Sequence, residues 1–389
     1  MTNILFICSS LEPGEDGVGD YTRRLACALV KKGYKASIIA INDRRMQAAQ
    51  WQGKQTCDNI DVKVIRLNAM VSWRKRLQIA RQFADEFDAG YISLQYVPFG
   101  YHLKGLPFNL ASGLKRIGKG KYWHIMFHEL TVKKEESLKF RLWGSLQEII
   151  IRSLVKQLLP VAVSTNTEVY RQRLAGMGFE TCLLPLFSNI SNLIMEYNIS
   201  YEAIVPVYLQ QHRQQYIIGT LFGSFDAKSW DLHSLLAKFT YRFSHKRIVI
   251  ASVGRMPAGR NSWNELQYHY PQVLFISFGE QEAGFISYWL QHYTDFGILA
   301  TLPELAGKSG SFMAFKEHGI PIVCRERTSV LELYGADLDK ALTVISKEKN
   351  FAVPARFSSE PALDSVVSAF ISQLRFSEIP SFNSASIYV

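Results

Sequence analysis

Three stretches carry residues whose types and spacing could do chemistry. After the apolar run Ile4–Cys8, the segment Ser9–Asp20 places Gly14, Gly17 and Gly19 ahead of a helical pattern that begins at Tyr21. Such a loop lets backbone amides approach a ligand closely, and the following helix N-terminus favours negative charge. A second stretch, Ile125–Phe127, is apolar and ends in His128–Glu129. An imidazole there could accept or donate a proton or hydrogen bond, with Glu129 orienting it; the plainer reading is a packed histidine. The third, Pro303–Ser311, offers Glu304, Lys308, Ser309, Gly310 and Ser311 before a helix from Phe312. Successive amides, two hydroxyls and an ammonium suit a diphosphate, and a helix cap without ligand is the alternative. The spacing is not that of a Walker loop, because Leu302 stands five residues before Gly307. A further glycine turn, Gly223–Lys228, supplies Ser224 and the point charge of Lys228.

A dinucleotide fingerprint competes for the first loop, since Gly17–Val18–Gly19 is followed by Asp43 at the end of the next strand. Thr22 occupies the position of the third glycine, and the loop from Cys8 is too long for the tight first turn. A flexible loop with Asp20 as helix N-cap is the structural alternative. No His, Cys or carboxylate cluster has convincing metal spacing, so chemistry without a bound metal and without a tightly bound cofactor is expected.

The elements that must position these residues alternate between strand and helix. Ile4–Cys8, the helical spacing of Tyr21–Lys32 closed by Gly33, and Lys35–Ile41 form a βαβ unit. Strand patterns continue at Val62–Arg66, Tyr91–Gln95, Trp123–Phe127 and Val161–Ser164, with helical spacing over Trp73–Phe87 and Leu138–Leu159. A second series runs through Tyr216–Phe222, Lys246–Val253, Val273–Ser277, Gly297–Thr301 and Pro321–Cys324. Two such series predict an α/β protein of two Rossmann-like domains with parallel sheets, over 1–190 and 191–375, followed by a polar tail, 376–389.

Over residues 1–190, 27 Lys+Arg face 16 Asp+Glu, a net +11; over 191–389 the counts are 17 and 18. The basic excess therefore belongs to the first half, where it could attract phosphates or an anionic membrane, or simply solvate helix faces. The segment Leu138–Leu159 mixes Leu, Ile and Trp with basic residues and could be ordinary core packing or a surface that leans on lipid. The five cysteines are odd in number and widely spaced, which argues against a disulfide framework. Apolar runs fall short of the roughly 20 residues needed to span a bilayer, and no signal-peptide pattern opens the sequence. A cytoplasmic location is expected, with peripheral contact at the inner membrane surface.

The order of these motifs resembles the family-4-like (glycosyltransferase group 1) retaining enzymes of the GT-B fold. The resemblance is carried by Gly14–Ala26 with Leu29 and Gly33, by Ile92–Tyr96, by Ile125–Leu130, and by Leu184–Ile190. In the second half it rests on Ile218–Ser224, on Phe278–Glu280 with Ile286–Leu290, and on Gly319–Val323. It implies two Rossmann-like domains facing a central cleft, acceptor in the first and nucleotide-sugar donor in the second. It also implies transfer with retention to a hydroxyl of a glycan, polysaccharide or lipid-linked acceptor. By that likeness His128 and Glu129 are the catalytic candidates. Gly14, Gly17, Gly19, Gly223, Ser224 and Glu280 are then donor-side and Asp20, Gln95 and Tyr96 acceptor-side; Lys228, Glu304, Lys308, Ser309, Gly310 and Ser311 are added to the donor side by the chemistry of their own loops, where the chain departs from the family pattern. Where the family carries two glutamates, this chain has Ala306 and Ala314; the alternative is therefore a catalytically degenerate GT-B protein that binds a nucleotide sugar, glycan or protein partner. No nucleic-acid partner is expected.

Overall fold

A computed structural model describes residues 3–131, 138–190, 198–223, 236–237, 239–241, 245–254, 260–299, 303–325, 342–345, 356 and 362–375. The chain divides into two compact units, Met1–Leu186 with Leu363–Val389, and Phe187–Ala362.

In the first unit the strands are β1 (Ile4–Cys8), β2 (Ala36–Asp43), β3 (Gln50–Cys57), β4 (Ile60–Asn68), β5 (Tyr91–Tyr96), β6 (Tyr122–Phe127), β7 (Ala162–Thr165) and β8 (Cys182–Leu183). They form one sheet in the order β3-β4-β2-β1-β5-β6-β7-β8. Every position of β1, β2 and β5 is buried, as near-continuous apolar strands of a parallel sheet covered on both faces should be. Helices Trp73–Glu86, Leu110–Ile117 and Leu138–Leu158 contribute Leu77, Phe83, Leu114, Ile151 and Leu154 to the core under one face. Helix Gly17–Lys31 buries Leu25, Ala26 and Leu29 completely.

The hairpin β3–β4 is antiparallel, with Cys57 opposite Ile60. Its two-residue turn, Asp58–Asn59, has φ of 49° and 61°, the left-handed pair that short polar side chains tolerate and that matches strand twist. The polar sequence of β3 hides this edge strand from a hydrophobic pattern search, and only β4 was expected.

The second unit holds β9 (Tyr216–Phe222), β10 (Arg247–Val253), β11 (Leu274–Ser277), β12 (Phe296–Ile298), β13 (Ile322–Arg325) and β14 (Leu342–Ile345). These pair in the order β11-β10-β9-β12-β13-β14, all parallel. Its core includes Ile250, Trp263, Phe296 and Val323.

One expectation is corrected. The helix Ala362–Arg375, assigned from sequence to the second domain, belongs from Leu363 onward to the first. Phe370 stacks on Phe6 with ring centroids 5.7 Å apart and meets His124 edge-on at 5.1 Å. Tyr91 donates its hydroxyl to the Leu374 carbonyl at 3.1 Å. Its apolar stripe finds a cover on the first sheet, which sequence adjacency gives no sign of. The tail 376–389 lies outside the described residues.

Candidate functional site

Each sheet changes winding direction at its first strand. β1 lies between β2 and β5, and β9 between β10 and β12. Open α/β sheets bind ligands beyond the carboxyl ends of their strands at such switch points. Most sequence-flagged residues among those described sit at these two edges.

In the first unit, β5 ends in Gln95–Tyr96 and β6 is followed at once by His128, whose amide donates to the Tyr96 carbonyl at 3.1 Å. His128 is 4% exposed and Gln95 1%. The imidazole Nε2 lies 2.8 Å from Gln95 Oε1, and the Tyr21 ring meets the imidazole edge-on at 4.9 Å. Burial, with the neighbouring His124, lowers the pKa of His128 to about 3, and burial lowers that of His124 to about 3. Both rings are therefore neutral at physiological pH. Glu129, half-buried, follows in chain order.

Gln95 and Tyr96 were expected on the acceptor side. Instead, Gln95 is consumed within the protein: Oε1 faces His128, Nε2 donates to Ser93 Oγ at 2.7 Å, and the Gln95 carbonyl accepts from Tyr101 Oη at 2.9 Å. Tyr96 is fully buried against Tyr101 and Phe127. Residues at strand ends in this sheet still point into covered layers, so neither side chain is open to an acceptor.

The glycine loop is organised by carboxylates. Helix Gly17–Lys31 starts four residues earlier than expected, and its N-cap is Asp16, not Asp20. Asp16 Oδ1 accepts from the Val18 and Gly19 amides at 3.0 and 3.2 Å. Asp20 accepts from the Gly14 amide at 3.1 Å and pairs with Arg23. Burial raises the pKa of both acids. The amides of Gly14 and Gly19 are thus already engaged. A Cβ on Gly19 would fall 2.6 Å from the Ser10 carbonyl oxygen, so glycine is required there for helix-to-loop packing. Gly17 has open space around it. Asp43 is fully buried and binds Arg66 Nε at 2.8 Å and the Leu11 amide at 3.2 Å. Its carboxylate is thus paired with Arg66 and the Leu11 amide rather than standing free as the acid that a dinucleotide site offers to a ribose.

In the second unit, β9, β10 and β11 each run into a glycine of positive φ: Gly223 (92°), Gly254 (109°) and Gly279 (65°). Gly223 donates to the Val253 carbonyl at 2.9 Å and Gly254 to the Gly279 carbonyl at 2.7 Å. A Cβ on Gly254 would sit 3.2 Å from Gly223 Cα. Three neighbouring strand ends therefore turn backbone against backbone, and exposed Glu280 follows the last.

After β12, the 3₁₀ turn Pro303–Lys308, which contains Glu304, leads into helix Gly310–Glu317. Buried Ser309 is its N-cap and accepts from the Phe312 amide at 3.3 Å, with Ser311 Oγ 3.0 Å away. The helix thus starts two residues before the expected Phe312. The amides of Gly310 and Ser311 open it, positions that have no intrahelical acceptor, and Lys308 is half-buried beside them. Ala306 and Ala314 are both fully buried. Ser224 and Lys228 lie outside the described residues, and among the described residues no three His, Cys, Asp or Glu side chains gather as a metal site.

Sequence reading missed the partners behind His128. Gln95 leads to Ser93, Ser93 Oγ lies 2.8 Å from His124 Nδ1, His124 Nε2 lies 3.0 Å from Ser164 Oγ, and Ser164 donates to Gln373 Oε1 at 2.6 Å. The signal available was a polar residue inside each of three apolar strands.

No protein-family profile matches the chain, and no curated protein matches it in sequence. Solved structures of similar architecture include Anabaena HepE in complex with UDP and glucose, at TM-score 0.55 and 12% identity over 100% of this chain and 95% of that one. The catalytic domain of Arabidopsis thaliana starch synthase IV bound to ADP and acarbose gives 0.53 and 11%, over 99% and 94%. A putative UDP-N-acetylglucosamine 2-epimerase from Listeria monocytogenes gives 0.53 and 9%, over 99% and 89%. With its two parallel-sheet Rossmann-like units, the chain has the GT-B fold.

Proposed function

We propose that this protein is a glycosyltransferase that moves a sugar from a nucleoside diphosphate sugar to an acceptor hydroxyl. The observation that carries this reading is the placement of His128 at the carboxyl edge of the first sheet and of the glycine turns and Ser309–Ser311 at that of the second. On this reading the amides of Gly310 and Ser311, with Lys308, stabilise the leaving diphosphate as negative charge develops on it. Neutral His128 contacts the transferred sugar. Retention follows the sequence resemblance, with front-face attack and the departing phosphate accepting the acceptor's proton, so no enzymic nucleophile is needed. The acceptor is read as a glycan, polysaccharide or lipid-linked hydroxyl, approached by a first unit that rests peripherally on an anionic membrane.

Thermal-shift measurement against a panel of nucleoside diphosphates and their sugars tests the donor assignment, since a ligand bound only by the folded state raises its stability. Selective stabilisation that weakens in Lys308→Ala is the expected result. With the donor identified, His128→Ala is expected to lower turnover by about 100-fold or more, and full turnover in that variant would remove the histidine from the chemistry. Transfer in excess chelator should persist.

The burial of Ala306 and Ala314 where related enzymes carry glutamates favours a second reading, a binding protein without transferase activity. Selective nucleotide binding with neither transfer nor donor hydrolysis would establish it.

A further inference from the structure

We propose that Gln95 is a positioning residue that fixes His128 as the Nε2–H tautomer, and that its own orientation is dictated by a hydrogen-bond chain ending at Gln373 on the C-terminal helix. The role given to His128 in sugar transfer rests on the functional reading above; the tautomer itself does not.

The argument is one of donor and acceptor inventory. Gln373 presents Oε1 to Ser164 Oγ at 2.6 Å. A carbonyl oxygen can only accept, so the single Ser164 hydroxyl proton points to Gln373. Toward His124 Nε2, 3.0 Å away, Ser164 is then an acceptor, and Nε2 carries the proton. Because this ring is neutral, its Nδ1 must be the lone-pair nitrogen, and Ser93, 2.8 Å away, donates to it. Ser93, having spent its proton, accepts from Gln95 Nε2 at 2.7 Å. That leaves Gln95 Oε1 facing His128 Nε2 at 2.8 Å, and His128 must donate.

Each step has one solution given the step before, so the polarity is continuous from the helix through β7, β6 and β5 to the sheet edge. Reversing it requires both glutamine amides to turn over and both rings to change tautomer together. Ser93, Gln95 and His124 are 0–1% exposed, so inside the chain no water is at hand to accept a stray proton, and a broken link would strand a buried donor or acceptor.

The consequence is chemical. With Nε2–H committed inward, the ring keeps Nδ1 as its outward function. Among the described residues Nδ1 has no hydrogen-bond partner, and it is not among the buried orphaned atoms. A neutral lone-pair nitrogen accepts from a hydroxyl and repels a phosphate oxygen, so the polarity set at Gln373 decides which part of a substrate this histidine can touch.

Nitrogen-15 NMR of histidine-labelled full-length protein tests this, because a protonated ring nitrogen and a lone-pair one resonate far apart. The His128 and His124 signals are identified by their loss in His128→Gln and His124→Gln. Both rings are expected as Nε2–H tautomers in the unmodified protein. Gln95→Leu should remove the preference in His128, and Gln95→Glu, which keeps an acceptor, should retain it. Gln373→Leu should mix the tautomers of both rings, although Gln373 touches neither. An Nδ1–H tautomer at His128, or a His128 tautomer indifferent to Gln95→Leu in a protein whose melting is still cooperative, would overturn the proposal. If the tautomers respond as expected while no donor is turned over by the unmodified protein, the functional reading fails and the chain of polarity stands.

Discussion

At the level of single residues, the two buried imidazoles make stability depend on pH. An ordinary histidine takes up a proton near 6.5, whereas His124 and His128 are held to about 3 by burial. Between those values the unfolded chain binds protons that the folded chain refuses. Their contribution is therefore intact above about pH 6.5 and is lost as pH falls toward 3. At pH 5 the linkage costs roughly 2 kcal/mol per ring. Urea midpoints at pH 7.5 and pH 5 should show the drop, and His124→Gln should shrink the difference between them. A drop of equal size in that variant would mean other groups carry it. The same burial explains why sequence alone left His128 undecided between packed and functional: its strand position buries it, yet one ring nitrogen is left unspent.

At the level of elements, the C-terminal helix is held by more than hydrophobic cover. Phe370 is fully buried between Phe6 and His124, so Phe370→Ala should destabilise the first unit by about 3–5 kcal/mol, read as a lowered midpoint in chemical unfolding. Gly19→Ala should also destabilise that unit, by about 1–3 kcal/mol, because its Cβ has backbone in its way. These contacts mark the limit of what the chain reveals as a string. Strands such as Tyr216–Phe222 announce themselves, because a parallel strand buried on both faces is a continuous apolar run. β3 does not, since an edge strand needs only cross-strand bonds and its polar residues face water. Helix starts were read late at Gly17 and Gly310 because Asp16 and Ser309 cap them among residues with no hydrophobic period. The placement of the candidate residues at strand ends was legible, but which way Gln95 and Tyr96 face was not, because that depends on layers supplied by distant segments.

At the level of the whole molecule, the charge is divided between halves. The basic excess lies in residues 1–190, and on the first unit it coincides with exposed apolar side chains. On helix Leu138–Leu158, Leu142 is 64% exposed, and Leu103, in a loop tied to that helix by Trp143 and Gln147, is 77% exposed. Among the described residues no helix is long and apolar enough to cross a membrane. The peripheral contact proposed above predicts binding to vesicles containing anionic lipid that weakens as salt is raised. Leu142→Glu should reduce it roughly tenfold. Salt-independent binding, or none, would leave the basic residues as a solvated surface.

The return of the last helix to the first sheet has a consequence for how the protein is made. A ribosome delivers β1 to β8 early, then must synthesise all of Phe187–Ala362 before Phe370 and Gln373 exist. At about 5–20 residues per second that interval is roughly ten to thirty-five seconds. Throughout it Phe6 lacks its stacking partner and Ser164 lacks its acceptor. Until then the nascent first unit carries an uncovered apolar patch beside Phe6, and the Ser164–Gln373 bond can close only after the whole second unit has been synthesised.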